Sequence, residues 1–118
     1  MIVGTGVDIT EVSRLRRATE KWGEDFLKRI FTGTELKNAR KRSSFYQHLA
    51  GRFAAKEAIF KAMKIKDLGW QEVEILNNQE GSPVARISNA KAKNLIVEIS
   101  ISHVKTYAVA SAFVAKKS

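Results

Sequence analysis

The sequence predicts an α+β fold, and three observations carry that prediction. A short segment with alternating side chains opens the chain. Segments of helical periodicity occupy most of residues 11–64. After Gly69 the texture changes to short alternating segments separated by turn residues. A strand, then helices, then a run of strands describes helices segregated from an antiparallel sheet.

Residues 2–9 read as the first strand. Val3, Val7 and Ile9 share one face, and Gly4, Gly6 and Asp8 share the other, because side chains alternate along a strand. The second face is bare until Asp8, and strand glycines often mark close approach of a ligand or another backbone. Residues 11–21 are helical and carry Arg14, Arg16 and Arg17, and a second helical piece covers 23–30. Thr32 and Glu35 form a T-x-x-E capping box for a third helix, followed by the basic cluster Lys37, Arg40, Lys41 and Arg42.

Residues 43–64 form the clearest helix. Ser43 or Ser44 caps it, and Phe45, Leu49, Phe53 and Phe60 recur at helical spacing as its buried stripe. Residues 70–76 alternate like a strand, 77–82 form a turn, and 83–87 return as a second strand. A short helix is expected around 88–94. Residues 95–102 and 106–115 are two further strands joined at His103-Val104-Lys105. The 118 residues fit one domain, with neither repeats nor linkers.

Composition narrows the partners. Lys and Arg number 21 against 12 acids, a formal charge of +9. Such a field suits nucleic acid, an anionic membrane surface, or an acidic protein together with a polyphosphate ligand. There is no cysteine, which excludes disulfides, thiolate metal sites and cysteine nucleophiles. No apolar run approaches the ~20 residues of a membrane span. The opening M-I-V-G-T-G-V-D has no signal-peptide character. A cytoplasmic, soluble protein is the expectation. A chain this short has little material for a deep private site, so a site shared between subunits is also expected.

Two carboxylates stand where core residues would be ordinary. Asp8 lies on the bare strand face, although Asp8-Ile9-Thr10-Glu11 also reads as a helix-capping box. Glu57 falls between Phe53 and Lys61 in the apolar arc of its helix. A carboxylate there is costly to bury unless paired or metal-bound, and a salt bridge to Lys61 is the simple alternative. If the two acids meet, they make a site for a hard divalent ion. Lys61 and Arg52 on the same helix could serve phosphates or simply snorkel to solvent. Arg14 and Arg17 share a helix face and could dock an acidic partner helix, or be plain exposed residues. His103 ends a strand, where a lone histidine is usually a surface residue. His48 reads as structural. P-loop, dinucleotide-binding, zincin and hydrolase-elbow motifs are absent.

These residues also carry a resemblance. G-V-D-I-T-E-V-S-R at 6–14, F-T-G-T-E at 31–35, R-F-A-A-K-E-A-I-F-K-A at 52–62 and S-I-S-H-V-K-T-Y-A-V-A at 100–110 resemble bacterial holo-[acyl-carrier-protein] synthases. Those are the small, trimeric group of the 4'-phosphopantetheinyl transferases. The W-x-x-V-E-I-x-N…G-x-P segment at 70–83 is similar too, so the likeness spans nearly the whole chain.

The resemblance implies one long central helix packed on a mostly antiparallel sheet, in a homotrimer with sites at subunit boundaries. It implies Mg²⁺-dependent transfer of 4'-phosphopantetheine from coenzyme A to a serine of apo-acyl carrier protein, releasing 3',5'-ADP and supporting fatty acid biosynthesis. Asp8 and Glu57 would hold Mg²⁺ with the coenzyme A diphosphate, and Lys61 would assist at the reacting phosphate. Glu57 or a metal-bound water would accept the serine proton. Arg52 and His103 would contact coenzyme A phosphates. Arg14 and Arg17 would grip the acidic helix of the carrier protein. Nucleic acid and membrane are not expected partners.

One stretch departs from the family pattern. The glycine-rich turn that usually follows the Lys61-Ala62 match is replaced by Met63-Lys64-Ile65-Lys66. Lysines could compensate electrostatically there, but they are not expected to copy a glycine backbone. Two other function classes fit the size and charge: a small basic RNA-binding protein and a non-catalytic trimeric scaffold. The usual RNA-binding marks, an exposed aromatic trio and a recognisable module motif, are weak.

Overall fold

A computed structural model describes residues 1–118. The fold is α+β with entirely antiparallel strand pairing. Its elements are β1 (Ile2–Glu11), α1 (Val12–Ile30), α2 (Gly33–Arg40), α3 (Phe45–Met63), β2 (Val73–Asn77), β3 (Pro83–Ile87), β4 (Leu95–His103) and β5 (Tyr107–Lys116). One sheet has the order β1-β5-β4, and β2 and β3 form a separate hairpin.

α3 packs against β1, β5 and β4, and the sequence shows how it comes so close. Gly4 and Gly6 face the helix, and a Cβ at either position would run into the carbonyl oxygen of Ala62 or Ala58. The bare strand face therefore admits another backbone, one of the two expected uses of such glycines. The matching helix surface is mainly alanine: Ala54, Ala55, Ala58 and Ala62 are fully buried with Ile59. The expected stripe of Phe45, Leu49, Phe53 and Phe60 forms only part of the seam. Leu49 is buried, and the three phenylalanines are half-buried. Phe53 and Phe60 instead stack on and edge against Trp70.

The helical region follows the expected breaks. α1 is two helical pieces joined at Gly23, whose φ of 72° and ψ of −156° interrupt the helix; glycine takes such angles at little steric cost. Thr32 and Glu35 form the reciprocal capping box at the start of α2. Ser44 stands at the N-cap of α3 but makes no side-chain cap bond. Two short expectations shift. Trp70–Glu72 forms a 3-10 turn, so β2 starts only at Val73, and the helix expected at 88–94 is a single 3-10 turn, Ala90–Ala92. No helix is long and apolar enough to cross a membrane.

A second core lies under α1 and α2, built from Leu15, Leu27, Ile30, Phe31, Leu36 and Leu49 with Ala39. A buried ion pair joins it to α3. Lys56 Nζ lies 2.6 Å from Glu35 Oε1. Lys56 also donates to the carbonyls of Ile30 at 2.8 Å and Trp70 at 3.2 Å. Glu35 accepts from the amides of Thr32 at 2.8 Å and Ile75 at 2.7 Å. These bonds tie α1, α2, α3 and β2 to one point.

Candidate active site

Two clusters of charged side chains sit along α3. The first forms where its C-terminal half crosses β1. Asp8 lies mid-strand, opposite Ala110 of β5, so the capping-box alternative fails: Glu11 holds the N-cap of α1, without a side-chain cap bond. Thr10 Oγ1 donates to Asp8 Oδ2 at 3.0 Å. Lys61 Nζ reaches over from α3, donating to the Val7 carbonyl at 2.9 Å and to Asp8 Oδ1 at 3.3 Å. It does not take the helical pairing with Glu57.

Glu57 lies one turn before Lys61, half-buried. Burial pushes its carboxyl above the usual range, and the Asp8 charge pushes it the same way, while Lys61 and Arg14 pull it down. Strand acid and helix acid thus lie near enough within one chain for their charges to repel each other. No third acid or histidine joins them in a metal-binding group. Hard oxygen donors under mutual repulsion suit a divalent cation. Mg²⁺ in particular is commonly held by one or two carboxylates, with substrate phosphates completing its shell. The pair therefore fits such an ion.

The second cluster surrounds a pocket of about 190 Å³ beside the N-terminal half of α3, lined by Arg42, Gln47, His48, Arg52, Asn77 and His103 among others, with no carboxylate. Arg52 is almost wholly buried and donates to Asn77 Oδ1 at 2.9 Å. Burial and the neighbouring Arg42 hold its guanidinium below its ordinary value. His48 is lowered to about 4, by burial first and then by Arg52, Arg42 and His103. A desolvated basic pocket lacking acids is built to take an anion.

Of the residues singled out in the sequence, Asp8, Glu57 and Lys61 meet at one crossing, and Arg52 and His103 line one pocket. Arg14 and Arg17 are exposed on α1. Arg14 is close enough for its charge to act on Glu57, whereas Arg17 turns to Ser13 Oγ at 3.3 Å. Two pocket residues escaped the sequence reading. Arg42 stood among the basic residues after α2 without a role, and His48 read as structural. The signal for His48 was its place four residues before Arg52, on the same helix face.

The departure at 63–66 also changes meaning. Lys64 caps α3 in the left-handed conformation, φ 59° and ψ 28°. The backbone turn expected to need glycine is therefore made by a lysine.

The chain is similar to known proteins over nearly its whole length. The model of the 4'-phosphopantetheinyl transferase superfamily matches residues 4–112. The holo-[acyl-carrier-protein] synthase of Thermodesulfovibrio yellowstonii is 45% identical over 111 residues, covering 93% of this chain and 96% of that protein. That of Halothermothrix orenii is 38% identical over 119 residues, covering 93% and 94%. The crystal structure of the Bacillus anthracis enzyme in complex with coenzyme A (3',5'-ADP) superposes with a TM-score of 0.85 at 36% identity, covering 100% of this chain and 99% of that one. The Helicobacter pylori enzyme in complex with coenzyme A gives 0.84 at 26% identity, covering 94% and 99%. By the family model, the identity to these relatives and the shared fold, the chain belongs to the 4'-phosphopantetheinyl transferase superfamily, as an enzyme of its holo-[acyl-carrier-protein] synthase family.

Proposed function

We propose that this enzyme transfers the 4'-phosphopantetheine group of coenzyme A to a serine of apo-acyl carrier protein and releases 3',5'-ADP. The observation that carries the reading is the convergence of Asp8, Glu57 and Lys61 where β1 crosses α3. Asp8 and Glu57 would hold Mg²⁺, which when bound would withdraw charge from the diphosphate of coenzyme A.

The chain's own groups do the rest. The serine oxygen attacks the phosphorus that carries pantetheine, and the bond from that phosphorus to the bridging oxygen breaks, the oxygen leaving with 3',5'-ADP. The serine proton passes to Glu57 or to water. Lys61 carries a mobile positive charge to the departing phosphate. Catalysis of this kind is mostly positioning and charge stabilisation. Arg52 and His103 bind a coenzyme A phosphate in the acid-free pocket, and Arg14 and Arg17 receive the acidic face of the carrier protein.

A homotrimer belongs to the same reading. On the outer face of the β1-β5-β4 sheet, Val7 is 60% and Ile9 65% exposed, with Val109 and Phe113 beside them on β5. An apolar patch of this kind supports burial against other copies of the chain.

The experiment is a mass assay with coenzyme A, Mg²⁺ and apo-carrier protein. A gain of one phosphopantetheine on the carrier is the expected result. Tight, salt-sensitive RNA binding without that gain would select the nucleic-acid reading instead. Asp8→Ala and Glu57→Ala should lose transfer while remaining folded, and near-wild-type turnover by either would end the metal assignment.

A further inference from the structure

We infer that His48 is a further ligand of the phosphate pocket, binding the phosphate monoester of coenzyme A together with Arg52 and His103. The inference rests on the proposed coenzyme A reading of that pocket.

The pocket collects its basic groups from separate parts of the chain. Arg42 comes from the segment between α2 and α3, His48 and Arg52 from one face of α3, and His103 from the end of β4. Asn77 at the end of β2 holds Arg52 in place. These are the charged and titratable groups that face the imidazole, and none is an acid.

The imidazole is left unsatisfied by the protein. His48 Nε2 is shut away from solvent and has no hydrogen-bond partner, the one buried side-chain nitrogen or oxygen in the chain of which this is true. Buried polar atoms are almost always paired, and an orphan asks for a reason. A ring that lines an anion pocket has one: a modest rotation offers a nitrogen to a bound phosphate. Without an anion the cationic neighbours and burial keep the ring neutral. A doubly negative phosphate among Arg42, Arg52 and His103 offsets that repulsion.

The chemistry of coenzyme A decides which phosphate is meant. The diphosphate is where the bond breaks, so it belongs with Asp8, Glu57 and Lys61. The remaining phosphate is the ribose monoester. It carries the highest charge on a single phosphorus, and the pocket without carboxylates suits it.

The test compares coenzyme A with dephospho-coenzyme A, which lacks only the monoester. Affinities are measured by calorimetry for the wild type, His48→Phe and His48→Ala, each checked for native circular dichroism. The expected loss for coenzyme A is about tenfold in both variants, the scale of one hydrogen bond to a charged group. Dephospho-coenzyme A should bind wild type and variants equally. If the wild type prefers coenzyme A and both variants keep that preference in full, His48 is not a ligand. If the wild type itself shows no preference, the phosphate reading of the pocket falls, and His48 with it.

Discussion

Lys56 Nζ lies 2.6 Å from Glu35 Oε1, with both side chains wholly sealed from solvent. The pair holds α3 to the start of α2 immediately beside Glu57. Burial lowers the ammonium's affinity for its proton, and Glu35 restores part of it. Taking two charges out of water is expensive, so such a pair is far worse broken than absent.

Lys56→Met should therefore destabilise the protein by about 3–5 kcal/mol, because it leaves Glu35 buried without its cation. Urea unfolding measures this as a lower midpoint at unchanged slope. A loss below ~1 kcal/mol would mean that the Thr32 and Ile75 amides satisfy Glu35 unaided, and that the pair is dispensable.

Gly6→Ala should separate β1 from α3. The new Cβ would meet the Ala58 carbonyl oxygen, which is helix backbone and cannot swing aside. Overpacking of this kind costs typically about 1–3 kcal/mol. It should also reduce transfer more than stability, since Asp8 lies two residues along the displaced strand. Thermal melting and the mass assay, run on one preparation, compare the two losses. Full activity with an unchanged melting temperature would show that the strand yields without moving Asp8.

Lys64→Gly should stabilise the fold by about 1 kcal/mol. Lys64 holds φ 59° at the end of α3, where a side chain is penalised and glycine is not. The backbone bond from its amide to the Phe60 carbonyl, 3.3 Å, needs no side chain. Denaturant midpoints of the two proteins decide the matter, and a destabilised glycine variant would mean that the lysine side chain makes up for the strained angle.

The sequence carried most of the fold because its local signals agree with one another. The T-x-x-E box, the Gly23 break and the alternation of 83–87 and 95–102 each act over a few residues, and each appears in the structure. The core of α3 was harder to read. Aromatic spacing pointed to a phenylalanine stripe, whereas the closest packing runs through alanines matched to Gly4 and Gly6. That match depends on two segments about fifty residues apart in the sequence. A separation of 21 residues hid the Lys56–Glu35 pair, since Glu35 already had an adequate local explanation as a cap. Asp8, Glu57 and Lys61 were legible because charge at apolar positions is unusual. His48 was not, because its importance lies in what it fails to bond.

His48 gives the stability a defined pH dependence. Its folded value of about 4 lies below the ordinary 6.5. The unfolded chain therefore binds the proton first as the pH falls. Stability is complete above about 6.5, declines as the pH drops toward 4, and levels off below that. The slope comes from the imidazole and from other groups shared by both proteins. Unfolding free energies of wild type and His48→Phe between pH 7.5 and 4 (the assay range) should therefore diverge, with the wild type falling more steeply. Parallel curves would mean that the ring takes up its proton in the fold as easily as in the unfolded chain.

Arg17→Glu should raise the KM for the carrier protein and leave that for coenzyme A alone. Arg17 is exposed on α1, bonded only to the neighbouring Ser13. Its reversal changes the field met by an acidic partner without touching the carboxylates. Arg14→Glu is a different experiment, although both arginines stand on one helix face. The Arg14 charge reaches Glu57 and lowers its proton affinity. A glutamate there makes the site more negative, which raises its affinity for a proton and for a divalent cation alike, so its effect should appear in the Mg²⁺ dependence as well as in the carrier KM. Added salt separates the contributions: partner attraction at an exposed surface is screened over about 10 Å at 0.1 M, and the half-buried pair is screened less. The Arg17 defect should therefore shrink as salt weakens the wild type, while the shifted Mg²⁺ dependence of Arg14→Glu persists. Identical behaviour of the two variants would place both arginines in a single role.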